Sequence, residues 1–130
     1  MMTTRAFYRS VMAETGFTEL ETVKRVTAAV MHTLRDRLTP DEARQAAAQL
    51  PQELKSVWFY GEARGRKPIK MHRKEFYERV RGEAGLDSLR EARVATTGVL
   101  AALKVTLSPG EGEDVMAQLP ADLKTLWVAA

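Results

Sequence analysis

The sequence predicts an all-α protein, an internally duplicated helical bundle with about four helices per repeat and a pseudo-two-fold relation between the repeats. Apolar residues recur at intervals of three and four, and no stretch alternates apolar and polar residues as a half-buried strand does. Proline and glycine lie at predicted helix ends, apart from Gly82 and Gly98. The chain also matches itself without gaps at an offset of 69 residues, with 19 identities in 52 aligned positions.

The first two helices of the repeat are predicted from a glycine stop and an apolar stripe. We expect the first helix from about Thr4 to Thr15, ended by Gly16 in a left-handed conformation. The second opens with Thr18-Glu19-Leu20-Glu21, which we interpret as a capping box with Thr18 at the N-cap. One buried stripe then follows: Leu20, Val23, Val30, Leu34 and Leu38.

Two prolines define the third and fourth helices. We expect Thr39 to cap the third helix, with Pro40 at its first position and Glu42 in its first turn. Pro51 ends this helix and starts a short fourth one, which carries Trp58 inward. Because Trp58 is repeated as Trp127, we expect both tryptophans to be buried. The second repeat keeps the same signals, at Ser108, Pro109, Glu111, Pro120 and Trp127.

The glutamines that precede these helix breaks, Gln49 and Gln118, are also repeated. A proline has no N–H, so a carbonyl of the preceding turn loses its helical partner. We therefore expect a structural role, in which the amide satisfies such a carbonyl, near Ala47 in the first repeat.

Composition and length predict a single domain, 1–130, made of repeats at about 4–60 and 73–129 joined by a basic linker over 61–72. The sequence has no cysteine, which excludes disulfides, cysteine-ligated metal centres and cysteine nucleophiles. No apolar run approaches the roughly 20 residues of a membrane span, and the first residues lack a signal-peptide core. We therefore expect a cytoplasmic protein that makes no membrane contact.

The net charge of +3 comes from one segment of the chain. Residues 1–63 are balanced and residues 75–130 are acidic, whereas residues 64–74 contain six cations and no acid. We expect this segment to be exposed and mobile, at least over 64–70. Its cations are Arg64, Arg66, Lys67, Lys70, Arg73 and Lys74.

The repeated motifs resemble a known bacterial family. The first set stands at Phe7 to Val11, Leu38 to Ala43 and Ala48 to Leu54. The second set stands at Phe76 to Val80, Leu107 to Glu111 and Ala117 to Leu123. In combination, over residues 7–127, they are similar to the family catalogued as domain of unknown function 2267. The resemblance implies a small, soluble, all-helical bacterial protein with an internal duplication, and it implies no chemistry.

The sequence contains few polar residues that are candidates for catalysis or ligand binding. His32 aligns with Ala101, so we expect it on a solvated helix face, and we expect His72 to cap the next helix or to be exposed. The two histidines lack metal-ligand spacing, and we expect no metal, no cofactor and no catalytic residue. Glu14 and Glu83 are repeated carboxylates that either share a proton across the pseudo-symmetry or, as we favour, pair with basic side chains of neighbouring helices.

The aromatic residues before the basic segment leave two interpretations open. Trp58 aligns with Trp127 and is explained as core, whereas Phe59 and Tyr60 align with Val128 and Ala129. Either these two rings cover the seam between the repeats, which we favour, or Tyr60 stacks on a nucleic-acid base while the cations of 64–74 hold phosphates.

Two functions from different classes follow. The favoured one is a non-enzymatic interaction or regulatory protein that binds another protein through its helical surface. The alternative is a weak nucleic-acid or polyanion binder that uses residues 64–74, and an enzyme is the third interpretation. An exposed apolar patch favours the protein partner, and an exposed Tyr60 on a basic ridge favours nucleic acid.

Overall fold

The computed structural model describes residues 2–130, which form eight α-helices and no β-strand. This confirms the all-α class. The first four helices are α1 (Thr4–Thr15), α2 (Leu20–Arg37), α3 (Pro40–Ala47) and α4 (Gln52–Phe59). The other four are α5 (Arg73–Ala84), α6 (Leu89–Thr106), α7 (Pro109–Ala117) and α8 (Ala121–Ala129).

The helices of the two halves begin at positions 69 residues apart. Helices α5 and α6 reproduce both ends of α1 and α2 at this offset, and α7 and α8 each run one residue further than α3 and α4. The loop between the halves, residues 60–72, contains the whole predicted linker.

The main helix contacts run between the halves. Helix α1 packs on α6, α5 packs on α2, and α2 also contacts α6. The buried apolar residues form one cluster with members from both halves. A fragment about half this size would bury little more than half of its surface, so the contacts between halves supply core that neither half has alone.

Gly98, one of the two glycines inside predicted helices, lies where α6 packs closely against α1. A Cβ atom at this position would lie 2.4 Å from Cγ2 of Thr15 on α1. Because that distance is shorter than any normal contact, a larger residue would force α1 and α6 apart.

Most helix ends follow the sequence signals. Gly16 and Gly85 end α1 and α5 with left-handed backbone, at φ 78° and 67°. The hydroxyls of Thr39 and Ser108 accept the N–H groups of Glu42 and Glu111, each at 3.2 Å, as N-caps of α3 and α7. These predictions are confirmed.

The start of α2 differs from its prediction. The N-cap is Glu19, not Thr18, and it makes no side-chain cap bond. Leu20 is 46% exposed, so the buried stripe starts at Val23. The predicted N-cap was therefore one residue away from the observed one, and the prediction that Leu20 is buried is wrong.

Both tryptophans are buried, as predicted: Trp58 is 1% exposed and Trp127 is 4% exposed. They lie on α4 and α8, which pack on α2 and α6 respectively. None of the helices formed by residues 2–130 has the length and hydrophobicity that crossing a membrane requires.

Candidate functional site

Gln49 and Gln118 join the first turns of α3 and α7 across the two halves. Oε1 of Gln118 accepts the N–H of Thr39 at 2.8 Å, and its Nε2 donates to the Thr39 hydroxyl at 3.2 Å. Gln49 makes the same two bonds to Ser108, at 2.7 and 3.2 Å. The predicted partner, a carbonyl near Ala47 in the same repeat, is therefore wrong, because the true partners lie in the opposite half.

These bonds change what the first-turn glutamates can do. In a capping box, the glutamate at the third helical position accepts the N–H of the cap residue. Here the glutamines already occupy the N–H groups of Thr39 and Ser108. The carboxyl groups of Glu42 and Glu111 face each other instead, and the two residues are only 8% and 7% exposed.

The surroundings of Glu111 raise the pKa of its carboxyl group above neutral pH. Burial of Glu111, its hydrogen bond to Glu42 and the negative charge of Glu42 raise the pKa of Glu111 from 4.5 to about 8, with a smaller effect of Asp114. Oε2 of each glutamate is buried, and no group of residues 2–130 donates a hydrogen bond to either oxygen while both carboxyl groups are ionised. A protonated Glu111 supplies that donor to Glu42.

Asp114 adds a third carboxylate beside this pair. Oxygens of Glu42, Glu111 and Asp114 lie within 4.8 Å of one another, so these are the described residues that could hold a metal ion. Sequence reasoning missed this site, although Glu42 and Glu111 are identical at the offset of 69 and follow equivalent caps. It considered a shared proton only for Glu14 and Glu83, and favoured ion pairs for those two residues.

His32 joins α2 to both α4 and α5. The residue is 9% exposed, so the prediction of a solvated position is wrong. Its Nδ1 lies 2.6 Å from Oε2 of Glu83, and its Nε2 lies 2.6 Å from the carbonyl of Val57. Since a carbonyl only accepts, Nε2 must donate its proton to Val57.

The repeated carboxylates Glu14 and Glu83 do not contact each other, and only Glu83 contacts His32. Glu83 pairs with the basic side chain of His32 on α2, as the favoured interpretation expected. Within residues 2–130, Glu14 makes no ion pair and no hydrogen bond to Glu83. The alignment of His32 with Ala101 led to the error, because a polar residue present in one half alone was interpreted as a surface residue.

The last turn of α2 anchors the start of the loop 60–72. Nη1 of Arg35 donates to the carbonyls of Trp58 and Tyr60, at 2.7 and 2.8 Å. At the equivalent position of α6, Nζ of Lys104 donates to the carbonyls of Trp127 and Ala130, both at 2.9 Å. Each cation thereby satisfies the carbonyls that the end of α4 or α8 leaves without helical partners.

The same turn anchors the middle and the end of the loop. Nη1 of Arg66 donates to the carbonyl of Leu38 at 2.7 Å, and its Nε donates to Glu62 at 2.7 Å. The N–H of Ile69 donates to the carbonyl of Asp36 at 2.8 Å. The Arg66 side chain is only 7% exposed, so it stabilises the loop rather than facing solvent as expected.

The other cations predicted to contact anions face solvent. Arg64, Lys67 and Lys70 are exposed and have no ion pair within residues 2–130. Lys74 lies 4.0 Å from Glu78. Arg73 is exposed at the start of α5, where its N–H donates to Asp122 at 2.8 Å.

The start of α5 also holds His72, which is its N-cap residue, with an exposed side chain. Nδ1 of His72 lies 3.5 Å from Asp122. The N–H of Arg73 and, to a lesser extent, the charge of His72 hold the pKa of Asp122 below its usual value, against the opposing effect of burial.

Tyr60 is 76% exposed and therefore does not cover the seam between the halves. Its ring centroid lies 6.3 Å from that of His32, with 28° between the ring planes. Phe59 is 39% exposed. The structure thus places an exposed aromatic ring at the start of the basic loop.

Two open cavities occupy equivalent places in the halves. One, of about 560 Å³, is lined by Tyr8 and Lys24 among others. The other, of about 520 Å³, is lined by Tyr77 and Arg93. Burial raises the pKa of both tyrosines.

A known protein family matches this chain. The family model described as "Uncharacterized conserved protein (DUF2267)" matches residues 4–128, essentially the whole described chain. The resemblance found from the motifs is confirmed. No curated protein matches the chain.

Proposed function

The chain belongs to the DUF2267 family of uncharacterized conserved proteins, and we propose that it is a non-enzymatic interaction protein whose partner is a nucleic acid or a similar polyanion. One observation carries this proposal: an exposed Tyr60 stands at the start of an anchored loop that presents the cations Arg64, Lys67 and Lys70. Cations of this kind contact phosphates, which supplies affinity with little sequence preference.

The internal polar contacts support a role without catalysis. His32 uses both ring nitrogens within the fold, and Glu42 and Glu111 face each other between α3 and α7. These groups hold the two halves together, which accounts for their burial without a substrate.

The test of the polyanion partner is a pair of charge-matched triple variants. Substitution of Arg64, Lys67 and Lys70 by Gln removes three exposed loop cations. Substitution of Arg5, Arg9 and Lys24 by Gln removes three exposed cations from α1 and α2 and leaves the loop intact. Fluorescence anisotropy with labelled duplex DNA at about 50 mM salt measures binding of each.

We expect the loop variant to lose binding and the α1/α2 variant to keep most of it. Three phosphate contacts give a log–log salt slope of about −3 on duplex DNA. Equal losses in the two variants, or no binding by the native protein up to about 100 μM, would contradict the proposal.

A protein partner is the second candidate, because exposed apolar side chains lie on α6 and α8 in the second half of the chain. Val105 is 71% exposed on α6 and Val128 is 66% exposed on α8, where Lys104 joins the two helices. Beside them a groove of about 260 Å³ is lined by Met116 and Trp127 among others. Exposed apolar surface of this kind favours contact with another protein.

Affinity capture from the native host with and without nuclease separates the two candidates. A partner protein that survives nuclease treatment and is lost when Val105 and Val128 are both replaced by Asp supports the second. Loss of every partner on nuclease treatment supports the first.

We further propose that this is a bacterial cytoplasmic protein and that its two halves arose by an internal duplication. We also propose that a pseudo-two-fold axis relates the halves and passes between α3 and α7. The shared offset of the helix starts supports the duplication. The reciprocal bonds of Gln49 and Gln118, and the contact of Glu42 with its own equivalent, support the axis. The absence of cysteine supports a reducing compartment. An experimental structure whose halves do not superimpose by a two-fold rotation would contradict the axis.

A further inference from the structure

Tyr60 is exposed, yet its position is fixed from two sides. Arg35 holds its carbonyl at 2.8 Å and the carbonyl of Trp58 at 2.7 Å. The ring lies beside the ring of His32, which is itself held by Glu83 and by the carbonyl of Val57. An aromatic ring that is 76% exposed and already positioned loses little conformational freedom when a flat ligand stacks on it.

The exposed cations are held within reach of this ring. Arg64 lies four residues after Tyr60, so their Cα atoms are at most about 14 Å apart. The loop then returns to the same turn of α2 that holds Tyr60, through Arg66 at Leu38 and Ile69 at Asp36. Lys67 therefore lies in the part of the loop between these two anchors.

We infer that Tyr60 stacks on an unpaired base while Arg64, Lys67 and Lys70 contact the adjoining phosphates, so that the ligand is a single-stranded nucleic acid; this inference rests on the proposed polyanion function. Stacking needs the face of a base. A duplex presents only base edges in its grooves, because its base faces are already stacked on one another. A single strand can present a face to Tyr60 and its backbone to the cations.

The arrangement around Tyr60 favours a single strand over an acidic protein. An acidic partner would satisfy the cations but has no need of an exposed, positioned aromatic ring. A base on the ring uses both features together, since stacking and phosphate contacts act on neighbouring parts of one strand.

Anisotropy measurements with the full chain test the inference. The probes are a labelled single-stranded DNA and a single-stranded RNA of mixed sequence, and a DNA duplex of the same length, at about 50 mM salt. The variants are Tyr60→Ala, Tyr60→Phe and Val105→Ala. The last removes an equally exposed apolar side chain from the other half of the molecule.

We expect the native protein to bind the single strands more tightly than the duplex. Loss of one stacked base lowers affinity about 5- to 150-fold, so Tyr60→Ala should fall in this range on the single strands. Tyr60→Phe, which keeps the ring, and Val105→Ala should change affinity less than about twofold. Circular dichroism and thermal melting confirm that each variant is folded.

The outcomes separate the two proposals. Equal binding of single strands and duplex, or an unchanged affinity of Tyr60→Ala, overturns the inference while the loop's phosphate contacts stand. No binding of any of the three nucleic acids up to about 100 μM protein overturns the inference and the nucleic-acid function together.

Discussion

Two polar contacts join the halves of this protein in different ways. An imidazole nitrogen of His32 meets a carboxylate oxygen of Glu83 between α2 and α5, whereas Glu42 and Glu111 bring two carboxyl groups together between α3 and α7. The first pair is made of unlike residues, and the second is one residue meeting its own equivalent at the offset of 69.

The proposed axis explains this difference. On a two-fold axis a position meets its own copy, so identical repeats bring like charges together, and only a shared proton or a bound cation relieves the repulsion. Away from the axis each contact occurs twice with different residues, and the two occurrences can diverge. His32 has Ala101 as its equivalent, so Glu83 has a partner, whereas Glu14 has no ion pair among the described residues 2–130.

Apolar side chains carry no charge, so the same apolar residue can be buried in both halves, as Trp58 and Trp127 are. Substitution of these tryptophans has the largest expected effect. Trp58→Ala and Trp127→Ala should each lower the free energy of unfolding by about 3–5 kcal/mol, because each leaves a cavity in the shared core. Denaturant melts of both variants measure the loss. A loss below about 1 kcal/mol in either variant would give that tryptophan a surface role.

The next prediction breaks the contact away from the axis. His32→Ala removes the shorter of two hydrogen bonds to the Val57 carbonyl, which keeps the N–H of Tyr60 at 3.3 Å, and it takes away the partner of Glu83. The substitution should cost about 1–2 kcal/mol. Glu14→Ala is the matched control, because it removes the equivalent carboxylate, which makes no ion pair in the described part of the chain, and it should cost less than about 0.5 kcal/mol. Similar costs for the two variants would remove the distinction between the two sites.

The sequence predicted the parts of the molecule that depend on local signals. Helix boundaries followed from Gly16, Pro40 and Pro51, and the buried tryptophans followed from their repetition. The same alignment misplaced His32, because a residue absent from the other repeat was taken as dispensable to the core.

The contacts between halves could not be predicted in the same way. Gln118 and Thr39 are 79 residues apart, and the repeat alone does not indicate that α3 meets α7. For the same reason a shared proton was considered for Glu14 and Glu83 alone, although another repeated pair, Glu42 and Glu111, was equally visible. Arg66 likewise has the same charge as its exposed neighbours, and only the fold distinguishes it from them.

The third prediction concerns the contact between Glu42 and Glu111, on the proposed axis, and depends on pH. The pKa of Glu111 is raised to about 8 in the folded protein, so between its ordinary value of 4.5 and this value the folded state binds more protons than the unfolded state. Stability from this group is therefore fully present below pH 4.5 and is lost as the pH rises through about 8.

Glu111→Gln removes this dependence, because an amide does not titrate and can donate a hydrogen bond to Glu42. From about pH 5 to about pH 9 the native protein should lose about 1–2 kcal/mol more than this variant, a value reduced for partial solvent screening. Denaturant melts across this range measure it. Glu113→Gln, at an exposed position of the same helix, should keep the native pH profile. Parallel profiles for all three proteins would mean that the two glutamates do not share a proton.

The smallest expected effect concerns the two glutamines, whose bonds are equivalent in geometry but not in burial. The bonds from Gln118 to Thr39 are partly buried, whereas those from Gln49 to Ser108 are exposed. Because water replaces an exposed bond more easily, Gln118→Ala should cost about 1–2 kcal/mol and Gln49→Ala about 0.5–1 kcal/mol.

Gln45→Ala, at an exposed position of α3, should leave stability within about 0.5 kcal/mol of the native value. Denaturant melts of the three variants and of the Gln49/Gln118 double variant measure these differences. If the two single variants cost the same, burial does not distinguish the two bonds, and if both match Gln45→Ala, the reciprocal bonds add nothing to the junction of α3 and α7.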